Sequence, residues 1–215
     1  MSYLTINNEA KSEFEEKKSI FIGNAKRIYS EEEARSFINK IKGENKEAAH
    51  NVFAYVIGEN MGIQRYSDDG EPQGTAGVPV LEVIKKNGLT DVVIVVTRYF
   101  GGVLLGAGGL VRAYSKGASS AIKEAGIVEK IKGAALYVNF DYDLLGKVQY
   151  MFGQNNWYIE EILYSEKVKV KYFCEAENLE LIKSKIIEAC SGRVTFEIES
   201  EKFYFKLENR LYEEQ

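Results

Sequence analysis

The sequence predicts a two-domain protein of mixed α+β and α/β class, divided at Gly133, on three observations across its 215 residues. Glycine is unevenly spread: 13 of the 19 lie between Gly58 and Gly126, and both prolines, Pro72 and Pro79, fall in the same stretch. Charge is uneven too, +1 over residues 1–133 and −5 over residues 134–215. After Gly133 the apolar periodicities run strand, helix, strand, strand, helix, strand, a βαββαβ order that is the split-βαβ, ferredoxin-like plan. The predicted domains are therefore 1–133, a βα domain, and 134–215, a ferredoxin-like domain.

The elements follow in order. KSIFIGNAKRI reads as a strand, and Ser30 with Glu33 forms a capping box ahead of Ala34, Phe37, Ile38 and Ile41, which predicts a helix over about 31–42. NVFAYVI is a second strand by its β-branched and aromatic content. VPVLEVIKK is a short helix with Pro79 in its first turn, where a missing N–H costs nothing. DVVIVVT is apolar throughout, as a central strand covered on both faces would be. From Gly109 to Gly126, Leu110, Tyr114, Ala118, Ala121, Ile122 and Ala125 make one helical face. In the second domain ALYVNF, WYIEEILY, VKVKYFC and RVTFEIE are the strands, and DLLGKVQYMF and LELIKSKIIEA the helices. Within VKVKYFC, Val168, Val170, Tyr172 and Cys174 mark a buried face opposite a solvated one. The terminal EEQ reads as a frayed end.

Composition excludes several classes. With 45% hydrophobic and 28% charged residues the chain is a folded globular protein rather than a disordered one. A net charge of −4 gives no overall attraction to nucleic acid, so any such binding must come from a local patch. The first residues lack the apolar run of a signal peptide, and no run of about 18 apolar residues marks a membrane span, so a cytoplasmic protein with no membrane contact is expected. Cys174 and Cys190 have no metal-type spacing and read as reduced core residues.

Two segments and one histidine could carry chemistry. In RYFGGVLLGAGGLVRAYSKG a buried strand passes through Gly101, Gly102, Gly106, Gly108 and Gly109 into a helix. Unpaired N–H groups at the helix start, with Arg98, Arg112 and Lys116 adding charge and Tyr99 a stacking face, would suit phosphate or nucleic acid. The spacing fits neither a P-loop nor the dinucleotide motif, and the same glycines would also serve tight turns and close packing. In RYSDDGEPQGTAGVP, Asp68, Asp69 and Glu71 could hold Mg²⁺ or act as an acid/base pair, while Asp-Gly and Glu-Pro equally suit a rigid solvated turn; no other cofactor is expected. Thr75 is placed to cap the short helix. His50, the sole histidine, would serve as a general base if Asp68 or Asp69 oriented it, and otherwise is structural.

Together, YSDDGEPQGTAGVP and VVTRYFGGVLLGAGGLVRAYSKG resemble the signature of the IMPACT family in its bacterial YigZ-like form, over about Lys17 to Glu129. The resemblance implies an N-terminal domain similar to domain IV of elongation factor G and a C-terminal domain similar to its domain V. It also implies RNA or the ribosome as partner, with a translation-regulatory protein as a second one, and a non-enzymatic role in regulating translation. Val52 stands where relatives commonly have Cys, and Val78 and Leu104 where many have Lys, which speaks against a universal catalytic thiol and thins the basic surface. Some relatives have carried the label of proline dipeptidase, but the histidine-rich ligand set such a metalloenzyme needs is absent from a chain with one histidine. The expectation is an RNA- or ribosome-associated binding protein. Its alternative is a Mg-dependent enzyme acting on a phosphorylated small molecule or nucleotide.

Overall fold

The computed structural model describes residues 2–214, which divide into two compact units, Tyr3–Val128 and a second unit from Glu129 onward. In chain order the elements are β1 (Ser2–Ile6), β2 (Ala10–Glu16), β3 (Ser19–Arg27), α1 (Glu31–Glu44), β4 (His50–Ile57), β5 (Ile63–Ser67), α2 (Gly77–Lys86), β6 (Val92–Tyr99), α3 (Ala107–Ala125) and β7 (Ile127–Phe140). They continue with α4 (Leu145–Gln154), β8 (Ile159–Tyr164), β9 (Val168–Glu175), α5 (Leu179–Ala189), β10 (Val194–Ile198), β11 (Lys202–Leu207) and β12 (Arg210–Tyr212).

In the first unit five strands form an antiparallel sheet in the order β2-β3-β6-β4-β5. The run DVVIVVT does lie at the centre. Its even-numbered side chains Val92, Ile94 and Val96 pack under α2 and α3, while Val93 and Val95 pack under α1 with Phe37, Ile38 and Ile41. All of β6 from Val92 to Arg98 is buried, yet both its neighbours run antiparallel to it. Continuous apolarity reports burial on two faces, whatever the strand direction. Ser30 caps α1 by accepting from the Glu33 N–H at 3.1 Å, and Glu33 accepts in return from the Tyr29 N–H at 2.8 Å.

In the second unit the sheet order β10-β7-β9-β8 is antiparallel throughout, as the split-βαβ plan requires. Helices α4 and α5 cover one face, burying Val148, Phe152, Ile182 and Ile186 against Leu136, Val138, Phe140, Val168 and Val170. The expected boundary at Gly133 falls inside β7. A Cβ there would sit 2.7 Å from the Cys174 carbonyl oxygen and 2.9 Å from Tyr204 and Leu211, so this glycine marks close packing rather than a linker. The face expected to be solvated is partly covered as well. Strand β11 pairs with the first half of β7, and β12 with β11, and this hairpin buries Phe173 with Tyr204, their rings 4.8 Å apart. The acidic end is engaged rather than frayed as far as Glu214: Glu213 pairs with Lys202 at 2.5 Å and Glu214 with Lys130 at 3.6 Å, while Gln215 lies outside the described residues.

Cys174 and Cys190 are free and buried, and burial pushes the Cys174 thiol up to about 11, which keeps it protonated and unreactive near neutrality. Among the described residues no helix is long and apolar enough to cross a membrane.

Candidate functional site

The segment between β5 and α2 carries the three clustered carboxylates, and each turns toward the chain's own groups. Asp68 Oδ1 accepts from the backbone N–H groups of Ala76 (3.1 Å) and Gly77 (2.8 Å), and Oδ2 from Gly74 (2.9 Å). It therefore caps the start of α2, where unpaired donors and the positive dipole end favour a carboxylate. Thr75, expected as that cap, instead donates to the Pro72 carbonyl at 2.6 Å. Asp69 accepts from Lys42 Nζ at 2.7 Å and from the Asn51 N–H at 2.6 Å. Glu71 has a side chain only 3% exposed, and its Oε1 accepts from Arg98 Nη1 and from the Tyr114 hydroxyl, both at 2.7 Å.

This corrects two expectations. Arg98, assigned to an outward phosphate grip, is 6% exposed in its side chain, paired with Glu71 and held near the rings of Phe21 and Phe100 at 5.6 and 5.4 Å. The carboxylates Asp68, Asp69 and Glu71, assigned to Mg²⁺, do not converge: among the described residues no group of three His, Cys, Asp or Glu is placed to hold a metal. Tyr114 is pushed well above the ordinary phenol range by burial and by its bond to Glu71, so it remains a donor.

His50 begins β4 directly opposite Arg98 on β6. Its Nδ1 lies 2.8 Å from the Asp69 carbonyl oxygen, and since a carbonyl only accepts, Nδ1 donates here. The orienting group is thus the Asp69 backbone rather than a carboxylate of Asp68 or Asp69. That bond leaves Nε2 facing Glu71 Oε1 at 3.9 Å.

The glycine-rich segment from Tyr99 to Gly109 has a different character. Tyr99 donates to Asn45 Oδ1 at 2.9 Å. Gly101 is required by contact, because a Cβ would lie 2.0 Å from the Lys18 carbonyl oxygen, and its N–H bonds to Ser19 Oγ at 3.2 Å. Gly102 and Gly106 adopt φ of 81° and 72°, the left-handed region that glycine enters freely. Gly106 precedes α3 without a side-chain cap, and Gly108 and Gly109 open the helix. Nearby, Arg112 and Lys116 of α3 line a cavity of about 250 Å³ with Lys17, Glu16, Leu105 and Gly109. Among the described residues none of these three cations has an ion-pair partner; Lys116 sits over the Phe14 ring at 4.2 Å. Phe100 and Leu104 stand exposed, Leu104 at 82%.

Lys17 escaped the sequence reading for a clear reason. It and Lys18 form the two-residue turn of the β2–β3 hairpin, with Glu16 opposite Ser19, at φ of 48° and 65°. Such a turn normally announces itself as Asn-Gly or Asp-Gly, whereas Lys-Lys gives no turn signal. Two lysines held left-handed cost roughly 1–2 kcal/mol per residue, where a glycine would cost little.

The chain is thus a two-domain α/β protein whose first sheet carries an inward-turned acidic loop and a glycine-rich approach to α3. Residues 17–122 match the family model of the Impact N-terminal domain, and residues 138–193 match a domain of unknown function (DUF1949). The chain is 43% identical over 192 residues to the IMPACT family member YvyE of Bacillus subtilis, covering 89% of this chain and 88% of that one. It is 32% identical over 178 residues to the IMPACT family member YigZ of Escherichia coli, covering 82% and 87%. A solved structure of a hypothetical protein superposes with a TM-score of 0.58 at 28% identity, covering 94% of this chain and 98% of that one. The chain belongs to the IMPACT family.

Proposed function

We propose that this protein binds RNA in the cytoplasm, free or on the ribosome, through phosphate contacts made by Lys17, Arg112 and Lys116, and regulates translation without catalysing a reaction. The single observation that carries this reading is the set of three unpaired cations around one cavity, beside a helix start that no side chain caps. Phosphate neutralised by such cations releases counterions, which gives affinity without demanding sequence. The IMPACT resemblance, with its implied likeness to domains IV and V of elongation factor G, points the same way but by analogy. Arg98 takes no part because its charge already serves Glu71.

The test is binding to ribosomes and to single-stranded RNA across a salt series. Arg112→Ala is expected to leave thermal stability within about 0.5 kcal/mol, because the side chain is exposed and unpaired. It should also lower the slope of log affinity against log salt by about one. Absence of RNA and ribosome affinity at low salt overturns the reading.

A further inference from the structure

We propose that a cavity of about 320 Å³ in the C-terminal unit is a nucleobase site, in which a flat heteroaromatic ring enters between the ammonium of Lys185 and the indole of Trp157. The cavity lies between the loop after α4, the end of β9, the start of α5 and the β11–β12 turn, and it stands at the low end of the roughly 300–1,000 Å³ range of small-molecule pockets. That size suits one ring system with a sugar, not an extended chain.

Trp157 is a fixed platform. Phe152 meets it edge-on at 5.3 Å and Tyr172 lies tilted at 5.8 Å, so the indole is braced by buried aromatics. The ammonium of Lys185 lies 5.8 Å from the indole centroid, on an exposed side chain tethered by one long hydrogen bond of 3.3 Å to Asn155 Oδ1. A side chain so held exchanges rotamers rapidly, and its attraction to the ring is weaker than the stacking of a base on an aromatic face. Lys185 therefore yields to a ring and can close over its far side, where a second π face awaits the cation.

The walls recognise edges rather than charge. Asn156, Asn178 and Asn209 line the cavity, and each amide offers a donor and an acceptor in one plane, the pairing that base edges display. Asn178 uses Nδ2 on Glu175 Oε2 at 3.2 Å and keeps Oδ1 as an acceptor. Glu175 is neutralised by Lys206 at 2.6 Å, so it does not repel an electron-rich ring. A sugar alone would set C–H groups on the indole and leave the Lys185 ammonium without a π face. A base can come as a free nucleoside or from single-stranded RNA, and the inference stands whether or not Arg112 binds phosphate.

Trp157 is the only tryptophan, so its indole N–H gives a single resonance in a nitrogen-resolved NMR spectrum of the full chain. The full chain is titrated with adenosine, guanosine, cytidine, uridine and a short single-stranded RNA. The expected result is a saturable shift of that resonance, with the dissociation constant raised about tenfold by Asn178→Ala and by Asn209→Ala, as loss of one hydrogen bond implies. Asn209 lies exposed in a turn, so its variant keeps the fold. A shift with nucleosides supports a free-nucleobase site, and a shift with RNA alone supports a base delivered by the polymer. No saturable shift with any of the five, or shifts that neither variant weakens, overturns the proposal. Retention of RNA on filters by wild type but not by Arg112→Ala, with the indole unmoved, would overturn this site while leaving the phosphate reading intact.

Discussion

The acidic loop and the glycine-rich loop lie in the same unit, and either, read as sequence, looks like a ligand site. They differ in where their charges find partners. In the acidic loop Asp68, Asp69 and Glu71 all bind groups of the chain itself: a helix start, a lysine of α1 and a buried arginine. Beyond the glycine loop, Arg112 and Lys116 face a cavity with no opposite charge paired to them. Charge density alone therefore says little about chemistry. What decides is whether the fold has already satisfied it, since a carboxylate bound to backbone donors has little left for a metal or a substrate.

This contrast can be broken by substitution. Arg98→Met removes the partner of a buried carboxylate, and denaturant unfolding should show a loss of about 3–5 kcal/mol. If the variant kept wild-type stability, Glu71 would be solvated and free for chemistry. Gly101→Ala forces a Cβ onto the Lys18 carbonyl, and about 3 kcal/mol of stability should go, the upper end of the overpacking range, with the β2–β3 turn displaced. Asp68→Ala leaves three backbone donors of the α2 start without their acceptor and should cost about 2 kcal/mol, read as a lowered melting temperature. All three losses are of the chain's own internal contacts and are read as stability.

The β2–β3 turn, whose Lys17 shares the cavity with Arg112 and Lys116, should behave in reverse. Replacing Lys17 and Lys18 together by Asn and Gly suits the left-handed turn and should raise stability by about 1 kcal/mol while weakening RNA binding and its salt dependence. Gain of stability with unchanged RNA affinity would remove Lys17 from the proposed surface.

Much of this architecture was legible because its periodicities are local. The capping box at Ser30, the doubly buried DVVIVVT strand and the βαββαβ order each follow from a few neighbouring residues. Strands β1, β2, β5 and β12 went unread because they are short or at edges, and β11 because its ends are exposed, as in the half-exposed alternation of AKSEFEE in β2. The site was harder. The acidic triplet, the glycines and Arg112 are visible as residue types, but the inward turn of Arg98 depends on Glu71, 27 positions away in sequence, and on Tyr114 from another element. No local pattern encodes such a meeting. Gly133 shows the converse error, since a glycine that permits close packing looks the same in sequence as one that ends a domain.

The β11–β12 hairpin has a consequence for synthesis. A ribosome delivers β7, β8, β9 and both helices of the second unit before Lys202–Tyr212 appear, so the sheet can form its helix-covered face early while Phe173 and Ile131 still await Tyr204 and Leu211. For that interval the nascent chain presents an apolar strip and an unpaired stretch of β7, the kind of surface that chaperones hold and that aggregation exploits.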